Sequence, residues 1–372
     1  MHLLRVQVPD FRGLKNIDIT FEKDFVPSIF PLGSQNGGGK STLLQLIFVL
    51  LHCSGDEDKK PFLQNLLQGF KIHDGEDKRV LAIIDIWDGQ KNVNLEFFSE
   101  ECSPSEAMVD FNEDINSEDS INLCYYSNAQ KNNQELNTKL QCHLTHQSKD
   151  QAKSLLHKIS RQIFLAAPST QIFLFLPPDS RKLLFSNSSK ADKNYYGILA
   201  SARLELKGLF TYDFLAVNLL IKSFKDARDR DFREAINTGG YGNSYQTLIN
   251  DLNLLLANKR INLNEDFSGV NFKLDKNGET IELYPEDLSH GELKRLSIYI
   301  WLKSRNIKDA IVLMDEVEIA FHPDWQYQII SDLKEWAPSN QYILATHSYA
   351  LCEALTPAHV KEIEPKLIKQ ES

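Results

Sequence analysis

The run Gly33-Ser34-Gln35-Asn36-Gly37-Gly38-Gly39-Lys40-Ser41-Thr42 sets a lysine and two hydroxyls directly behind three glycines. That order suits a phosphate-binding loop. Glycines let backbone N–H groups curl around phosphates, the lysine reaches the terminal ones, and the serine hydroxyl faces Mg²⁺. The nucleotide contacts predicted from it are Asn36, Gly37, Gly38, Gly39, Lys40, Ser41 and Thr42, with Ser41 a metal ligand and Lys40 also acting in catalysis. The strict pattern places a glycine where this chain has Ser34, and Gly33 is displaced by one position. A serine there must accept whatever backbone angles the loop imposes.

A second set of residues lies far along the chain. Asp309-Ala310-Ile311-Val312-Leu313-Met314-Asp315-Glu316 is an apolar run ending in two acids. It reads as a buried parallel strand delivering carboxylates to the edge of a sheet, where open α/β sheets bind ligands. Asp315 is expected to contact Mg²⁺, directly or through water, and Glu316 to polarise an attacking water as general base. A further strand, Gln341 to Thr346, leads to His347, placed to donate a hydrogen bond to a terminal phosphate and sense its presence. Between the acid pair and His347 there is room for one helix and one strand, as a right-handed crossover requires. Leu288-Ser289-His290-Gly291-Glu292 precedes an apolar helical periodicity (Leu293, Leu296, Ile300, Trp301). A helix beginning near Ser289 would offer its positive end to an anion.

The elements that must position these groups follow from patterning. Leu43, Leu44, Leu46, Ile47 and Leu50 predict a buried helix starting at the phosphate loop. Leu3 to Val8 and Asp10 to Phe21 alternate as paired antiparallel strands, and residues 79–98 read as a hairpin turning at Asp88-Gly89. Residues 100–150, rich in Ser, Asn, Gln, Glu and Asp, read largely as loop. Gln151 to Ile163 reads as a helix, Gln171 to Leu176 as a buried strand stopped by Pro177-Pro178, and 191–260 as mostly helical. Val270 to Leu274 and Thr280 to Tyr284 make a second hairpin.

Together these motifs resemble an ABC-type ATPase of the branch that includes SMC proteins, RecF and the OLD-family proteins. Chains of the RecF and SMC kinds commonly open on such strands. In that family Leu288-Ser289-His290-Gly291-Glu292 corresponds to the signature motif, so the resemblance implies that Ser289, Gly291 and Glu292 belong to the nucleotide site, with Ser289 and Gly291 contacting ATP bound by the opposite subunit. Glu318, Phe321-His322-Pro323 resembles the acid-x-x-x-His-Pro continuation of OLD-like ATPases and places Glu318 and His322 near a subunit interface. The family's Mg²⁺-contacting glutamine has no assignable counterpart.

The resemblance implies an α/β fold: an ABC ATPase head with a mixed sheet core, an antiparallel β-subdomain and a helical lobe. The expected layout is an N-terminal ATPase lobe over 1–100, a polar insertion over 101–150, a helical lobe over 151–265 and a C-terminal ATPase lobe over 266–372. Lys40 and Ser289 lie about 250 residues apart, which implies an insertion between the two halves of the nucleotide fold. No sustained heptads mark a long coiled coil there. After His347 about 25 residues remain, too few for the nuclease domain that OLD-family proteins carry at this end.

Composition narrows the classes. With 372 residues and 42% hydrophobic content the chain can bury a large core, and no apolar run reaches membrane-spanning length. No signal peptide is expected ahead of Leu3. The five cysteines lack zinc spacing and are expected as reduced thiols in a cytoplasmic protein. Cys142-His143-x-x-His146 offers three metal donors, and structural zinc sites take four, so it reads as coincidence. A net charge of −10 argues against a chain that coats nucleic acid over its whole surface. Lys149, Lys153, Lys158 and Arg161 form one local basic cluster. Lys222, Lys225, Arg228, Arg230 and Arg233 form a second, interleaved with Asp226, Asp229 and Asp231, and this reads first as a salt-bridged helix face, with nucleic-acid contact as the alternative.

The expected function is that of an ATPase with ATP and Mg²⁺ as cofactors, a homodimer or oligomer of dimers built around ATP. Compact chains with this motif set resemble the ATPase subunits of bacterial anti-phage defence systems such as Septu. That resemblance implies a separate effector protein such as a nuclease, gated by the ATPase, and no membrane. A RecF-like ATPase that binds DNA, or an ATP-binding scaffold with little turnover, is the alternative.

Overall fold

A computed structural model of the chain describes residues 1–34, 37–73, 75–102, 120–131, 134–145, 148–185, 195–212, 216–256, 258–264, 266–276 and 278–363. Its strands are β1 (His2–Phe11), β2 (Leu14–Thr20), β3 (Ile29–Gly33), β4 (Lys78–Trp87), β5 (Asn92–Cys102), β6 (Ser120–Lys131), β7 (Gln134–Leu144), β8 (Ile163–Ala167), β9 (Leu209–Thr211), β10 (Lys259–Leu263), β11 (Val270–Lys276), β12 (Glu279–Leu283), β13 (Ile311–Asp315), β14 (Gln341–Ala345) and β15 (Lys361–Glu362). The α-helices are α1 (Lys40–Cys53), α2 (Lys60–Leu67), α3 (Lys149–Ser160), α4 (Pro178–Leu183), α5 (Tyr195–Glu205), α6 (Ala216–Thr238), α7 (Ser244–Leu255), α8 (His290–Ser304), α9 (Pro323–Trp336) and α10 (Tyr349–Glu353). The chain divides into two compact units, one of Met1–Phe210, Lys308–Val317 and Ser339–Ser372, the other of Thr211–Ile307 and Glu318–Pro338. The α/β class expected from the sequence is the class observed.

Two sheets organise the first unit. One is antiparallel, in the order β2-β1-β4-β5-β7-β6. The other runs β15-β3-β14-β13-β8-β9, with β15, β3, β14, β13 and β8 mutually parallel. Every residue of β13 and β14 is buried, as in parallel strands covered on both faces. Helix α1 is buried from Leu43 to Cys53, so its apolarity is not confined to one stripe. Gln341, fully buried at the start of β14, joins the sheets: its Oε1 accepts from Leu3 N (2.6 Å) and its Nε2 donates to Leu3 O (2.9 Å).

The sequence reading is corrected at three places in this unit. The strand expected over Gln171 to Leu176 is β8 instead, eight residues earlier. Residues 171–176 form turns that bury Phe173, Phe175 and Leu176, and Gln45 of α1 holds them by donating to Ile172 O (3.2 Å) and accepting from Leu174 N (2.6 Å). Pro178 starts α4, where a missing N–H costs nothing. Lastly, β6 and β7 pair as antiparallel strands within the stretch expected as loop, and residues 103–119 of that stretch lie outside the described residues.

The second unit pairs α6 with α7 and adds the antiparallel sheet β10-β11-β12, then α8 and α9. Arg295 of α8 grips Asp332 of α9 through two parallel bonds, Nε to Oδ2 (2.7 Å) and Nη2 to Oδ1 (2.8 Å), both side chains buried. The salt-bridged face expected on α6 is also corrected. Only Arg228 is paired, with adjacent Asp229 at 2.8 Å. Among the described residues Lys222, Lys225, Arg230 and Arg233 form no ion pair, because Asp231 turns inward to cap α7, accepting from Ser244 N (2.8 Å) and Tyr245 N (2.9 Å).

Candidate functional site

Three adjacent parallel strands create the site. Leu32 of β3, Ala345 of β14 and Asp315 of β13 stand in one register line across the sheet. Just beyond that line, at the C-terminal edge where α/β sheets bind ligands, the chain leaves β3 for the glycine loop, β13 for Glu316, and β14 for Thr346 and His347.

The loop backbone explains its glycines. Gly37 and Gly39 have φ of 85° and 87°, the left-handed region that side chains disfavour. A Cβ on Gly39 would also come within 2.5 Å of Leu14 Cδ2. Helix α1 begins at Lys40, whose buried side chain folds back so that Nζ donates to Ser34 O (3.0 Å) and Ser34 Oγ (2.9 Å) and lies 3.5 Å from His347 Nδ1. Ser41 Oγ donates to Asp315 Oδ1 at 3.1 Å. Gly38 and Thr42 lie beside these groups in chain order, half-buried, and Asn36 lies outside the described residues.

Glu316 is half-buried at φ 49°, and its N–H donates to Ala345 O at 2.9 Å. A non-glycine residue held in the left-handed region stores on the order of 1 kcal/mol or more. His347 is exposed, its backbone set by Thr346 Oγ1 accepting from Ser348 N (2.9 Å) and Ser348 Oγ accepting from Leu351 N (3.1 Å). The structure thus brings Lys40, Ser41, Asp315 and His347 into direct contact in pairs, with Glu316 one residue beyond. The donor set fits a nucleotide with Mg²⁺: an ammonium and a run of glycine N–H groups for phosphate, and a hydroxyl and a carboxylate, both hard oxygen ligands, for the ion.

Ser289, Gly291 and Glu292 lie in the second unit. Ser289 caps α8, its Oγ accepting from Glu292 N (3.2 Å), and Glu292 Oε2 returns to Ser289 N (2.9 Å) and accepts from Ser289 Oγ (3.0 Å). This is a capping box. Lys259 holds the other Glu292 oxygen. Burial pushes the Glu292 pKa up, but the hydrogen bonds from Lys259 and Ser289 outweigh it and hold the carboxyl below its ordinary value. Its carboxylate therefore shapes the turn that presents Ser289, which is exposed. Gly291 has no room for a side chain, since a Cβ would stand 2.6 Å from Ala320 O. Glu318 is buried, and exposed His322 caps α9 by accepting from Asp324 N at 3.4 Å.

Ser34, recognised in the sequence only as a departure from glycine, proves to be the partner of Lys40. Residues Cys142 and His143 are neighbours on β7, whose alternation sends them to opposite faces. Among the described residues no cluster of three His, Cys, Asp or Glu is placed to hold a metal, and no helix is long and apolar enough to cross a membrane.

Comparison with known proteins adds family context. The family model described as "AAA domain, putative AbiEii toxin, Type IV TA system" matches residues 35–353. Over 99 residues the chain is 30% identical to the "Retron Vc95 probable ATPase" of Vibrio cholerae serotype O1 biovar El Tor, a match taking in 24% of this chain and 19% of that protein. The chain thus spans about a fifth of that relative's length. Among solved structures, an SMC head bound to the C-winged helix domain of ScpA is similar over 95% of this chain and 92% of its own, at 13% identity and a TM-score of 0.46. The SMC head domain from Thermotoga maritima has 11% identity and a TM-score of 0.43 over 95% of this chain and 92% of its own.

Proposed function

Because the chain belongs to the AAA-domain family matched over residues 35–353, we propose that it is an ATP-hydrolysing switch that pairs with a second copy around ATP and gates an effector in anti-phage defence. The observation that carries the ATPase reading is the convergence of Lys40, Ser41, Asp315 and His347 at one sheet edge, with Ser41 3.1 Å from Asp315. When bound, ATP with Mg²⁺ supplies a phosphoanhydride bond whose terminal phosphoryl group can pass to water.

This chain's residues divide the work. Backbone N–H groups of Gly37 to Gly39 and the start of α1 bind phosphate oxygens. Lys40 leaves Ser34 for the terminal phosphates, while Ser41 and Asp315 hold Mg²⁺. Glu316 takes the proton of the attacking water, a general-base role typically worth about 10² to 10⁴ in rate. His347 donates to the terminal phosphate. From the second copy, Ser289 and the N-terminus of α8 close the site, with Gly291 permitting the close approach of the chain there. Sharing ATP between two copies links dimerisation to nucleotide.

The effector reading rests on relatives: a family description that includes a toxin, and a curated relative named as a retron ATPase. A separate nuclease is the effector that fits. DNA binding by the chain itself is the second reading, favoured by the unpaired cations of α6. Wild type and Glu316→Gln, each with ATP and Mg²⁺, separate these readings by light scattering, phosphate release and co-purification. The proposal expects Glu316→Gln to stop turnover and accumulate as an ATP-bound dimer carrying a nuclease. A dimer carrying only DNA favours the second reading, and unchanged phosphate release removes Glu316 from catalysis.

A further inference from the structure

Glu292 is an acid standing where an anion is to be received. It is the acidic residue of the first turn of α8, behind Ser289, and the aligned peptide dipoles at a helix start supply only about half a positive charge. A bare carboxylate there reverses the sign. Its Oε2 completes the capping box by accepting from Ser289 N (2.9 Å) and Ser289 Oγ (3.0 Å), and the box requires nothing further. Its Oε1 is taken by Lys259 Nζ.

Lys259 is held in place from two sides. It opens β10 opposite Leu274 of β11. Its N–H donates to Leu256 O, just past α7, at 3.2 Å, and Ile261 N of the same strand donates to Asn253 Oδ1 of α7 at 2.8 Å. Both charged side chains are largely withdrawn from water, Lys259 at 15% exposure and Glu292 at 11%, while Ser289 stays exposed. Burial works against the Glu292 charge, but the bonds from Lys259 and Ser289 outweigh it and keep the carboxyl ionised. An ion pair this covered adds little stability over an apolar pair of the same shape, because desolvation offsets the attraction. Its consequence is the charge it leaves at the turn. With the ammonium in place the carboxylate is neutralised and the dipole keeps its positive sign.

We infer that Lys259 is a positioning residue for assembly around ATP: it neutralises Glu292, so that the start of α8 can receive the terminal phosphate held by a second copy. Lys259 lies outside the nucleotide motifs, 33 positions from Glu292. It also frees Ser289 to act. The Ser289 hydroxyl donates to Glu292 in the free chain and must turn to a phosphate oxygen on assembly, and Lys259 then keeps the carboxylate satisfied and in place. This role rests on the ATP-bound dimer proposed above.

The test uses the full chain carrying Glu316→Gln as parent, with ATP and Mg²⁺, and reads by light scattering the ATP concentration that gives half-maximal dimerisation. Lys259→Met, Glu292→Gln, the two together and Lys259→Arg are compared in it. A fluorescent ATP analogue at low protein concentration reads binding to the single chain, and the thermal midpoint without nucleotide reports folding. Lys259→Met is expected to need about tenfold more ATP to dimerise, the effect of an uncompensated like charge facing phosphate. Binding to the single chain, which the phosphate loop makes, is expected to fall far less. Glu292→Gln removes the repelling charge and keeps an acceptor for Ser289, so the double variant should return most of the way to Glu292→Gln alone. Lys259→Arg, which keeps the cation, should recover in part. If Lys259→Met does not fold, Lys259→Gln, which keeps a donor for Glu292 without the charge, carries the same comparison. A folded Lys259→Met that dimerises at the parent's ATP concentration overturns the inference. So does a double variant no better than Lys259→Met, since Lys259 would then act by packing and not by compensating Glu292. A parent that stays monomeric at saturating ATP sinks the dimer reading and this role with it, whereas a parent that dimerises beside an unaffected Lys259→Met sinks this role alone.

Discussion

Ser41 and Asp315, on the first turn of α1 and the last residue of β13, meet with the hydroxyl donating to Asp315 Oδ1 at 3.1 Å. Sequence separation this large means that the contact exists only when β3, β14 and β13 are assembled in register. A hydroxyl and a carboxylate at this distance supply two hard oxygens for one divalent ion. Asp315→Asn keeps the shape and removes the charge. It is expected to lower ATP turnover at least about 10²-fold, with most of the loss visible as a raised Mg²⁺ requirement. Titrating Mg²⁺ at fixed ATP checks this. An unaltered Mg²⁺ midpoint would remove Asp315 from the ion site.

His52, near the end of α1, gives the protein an acid sensitivity of definite sign. Its Nδ1 donates to Ser160 O (2.7 Å), its ring stacks on Phe48 at 4.9 Å, and its Nε2 is buried without a partner. Burial, aided by the charge of Lys59, holds its pKa down to about 3. The folded pKa is below the unfolded value of roughly 6.5. This contribution is therefore complete above about pH 6.5 and lost as pH falls toward 3, at up to about 1.4 kcal/mol per pH unit. Urea unfolding at pH 7 and pH 5 should show wild type losing about 2 kcal/mol more than His52→Asn, which keeps a donor for Ser160 without the titrating ring. Equal losses in both proteins would show that His52 does not set the acid response.

In the second unit, Arg295 and Asp332 tie α8 to α9, and Arg295 also donates to Leu255 O at 3.3 Å. Removing one member leaves the other buried and uncompensated. Asp332→Ala is expected to destabilise the fold by about 3 to 5 kcal/mol, whereas the double change Arg295→Met with Asp332→Leu should recover most of it. Chemical denaturation of the three proteins measures the difference. Parity between the single and double variants would mean that the pair does more than satisfy itself.

Much of the site was legible because its signals are local. Glycines before Lys40, an apolar run before Asp315 and a strand before His347 each announce an element and its end. The start of α8 near Ser289 was equally readable. What the sequence hid was set by distant partners. Residues 171–176 have the apolar content of a strand, yet Gln45, more than a hundred positions away, holds them as turns. The polar β6 and β7 looked like loop because their pairing with each other and with β5 is made by the backbone, which carries polar residues such as Thr138 and Gln141 into buried positions. The unpaired cations of α6 were hidden because Asp231 serves the α7 N-terminus instead.

The serine that departs from the loop pattern leads to the last expectation. Lys40 Nζ is bound to Ser34 twice, through the carbonyl (3.0 Å) and the hydroxyl (2.9 Å). Only the hydroxyl depends on the side chain, and a glycine at this position would keep the carbonyl bond alone. To reach a phosphate, Lys40 must give up these partners, so the hydroxyl bond opposes nucleotide binding by about 1 kcal/mol. Ser34→Gly should accordingly bind ATP about fivefold more tightly, as that energy converts. Part of the gain is offset by the added freedom of a glycine in the unbound loop, so Ser34→Ala, which lacks the hydroxyl without that freedom, is the decisive partner. Fluorescent-nucleotide titration of the three proteins reads the order directly. Tighter binding by Ser34→Ala than by wild type supports a lysine restrained in the free state, and weaker binding by both variants would mean that the Ser34 hydroxyl acts on the nucleotide instead.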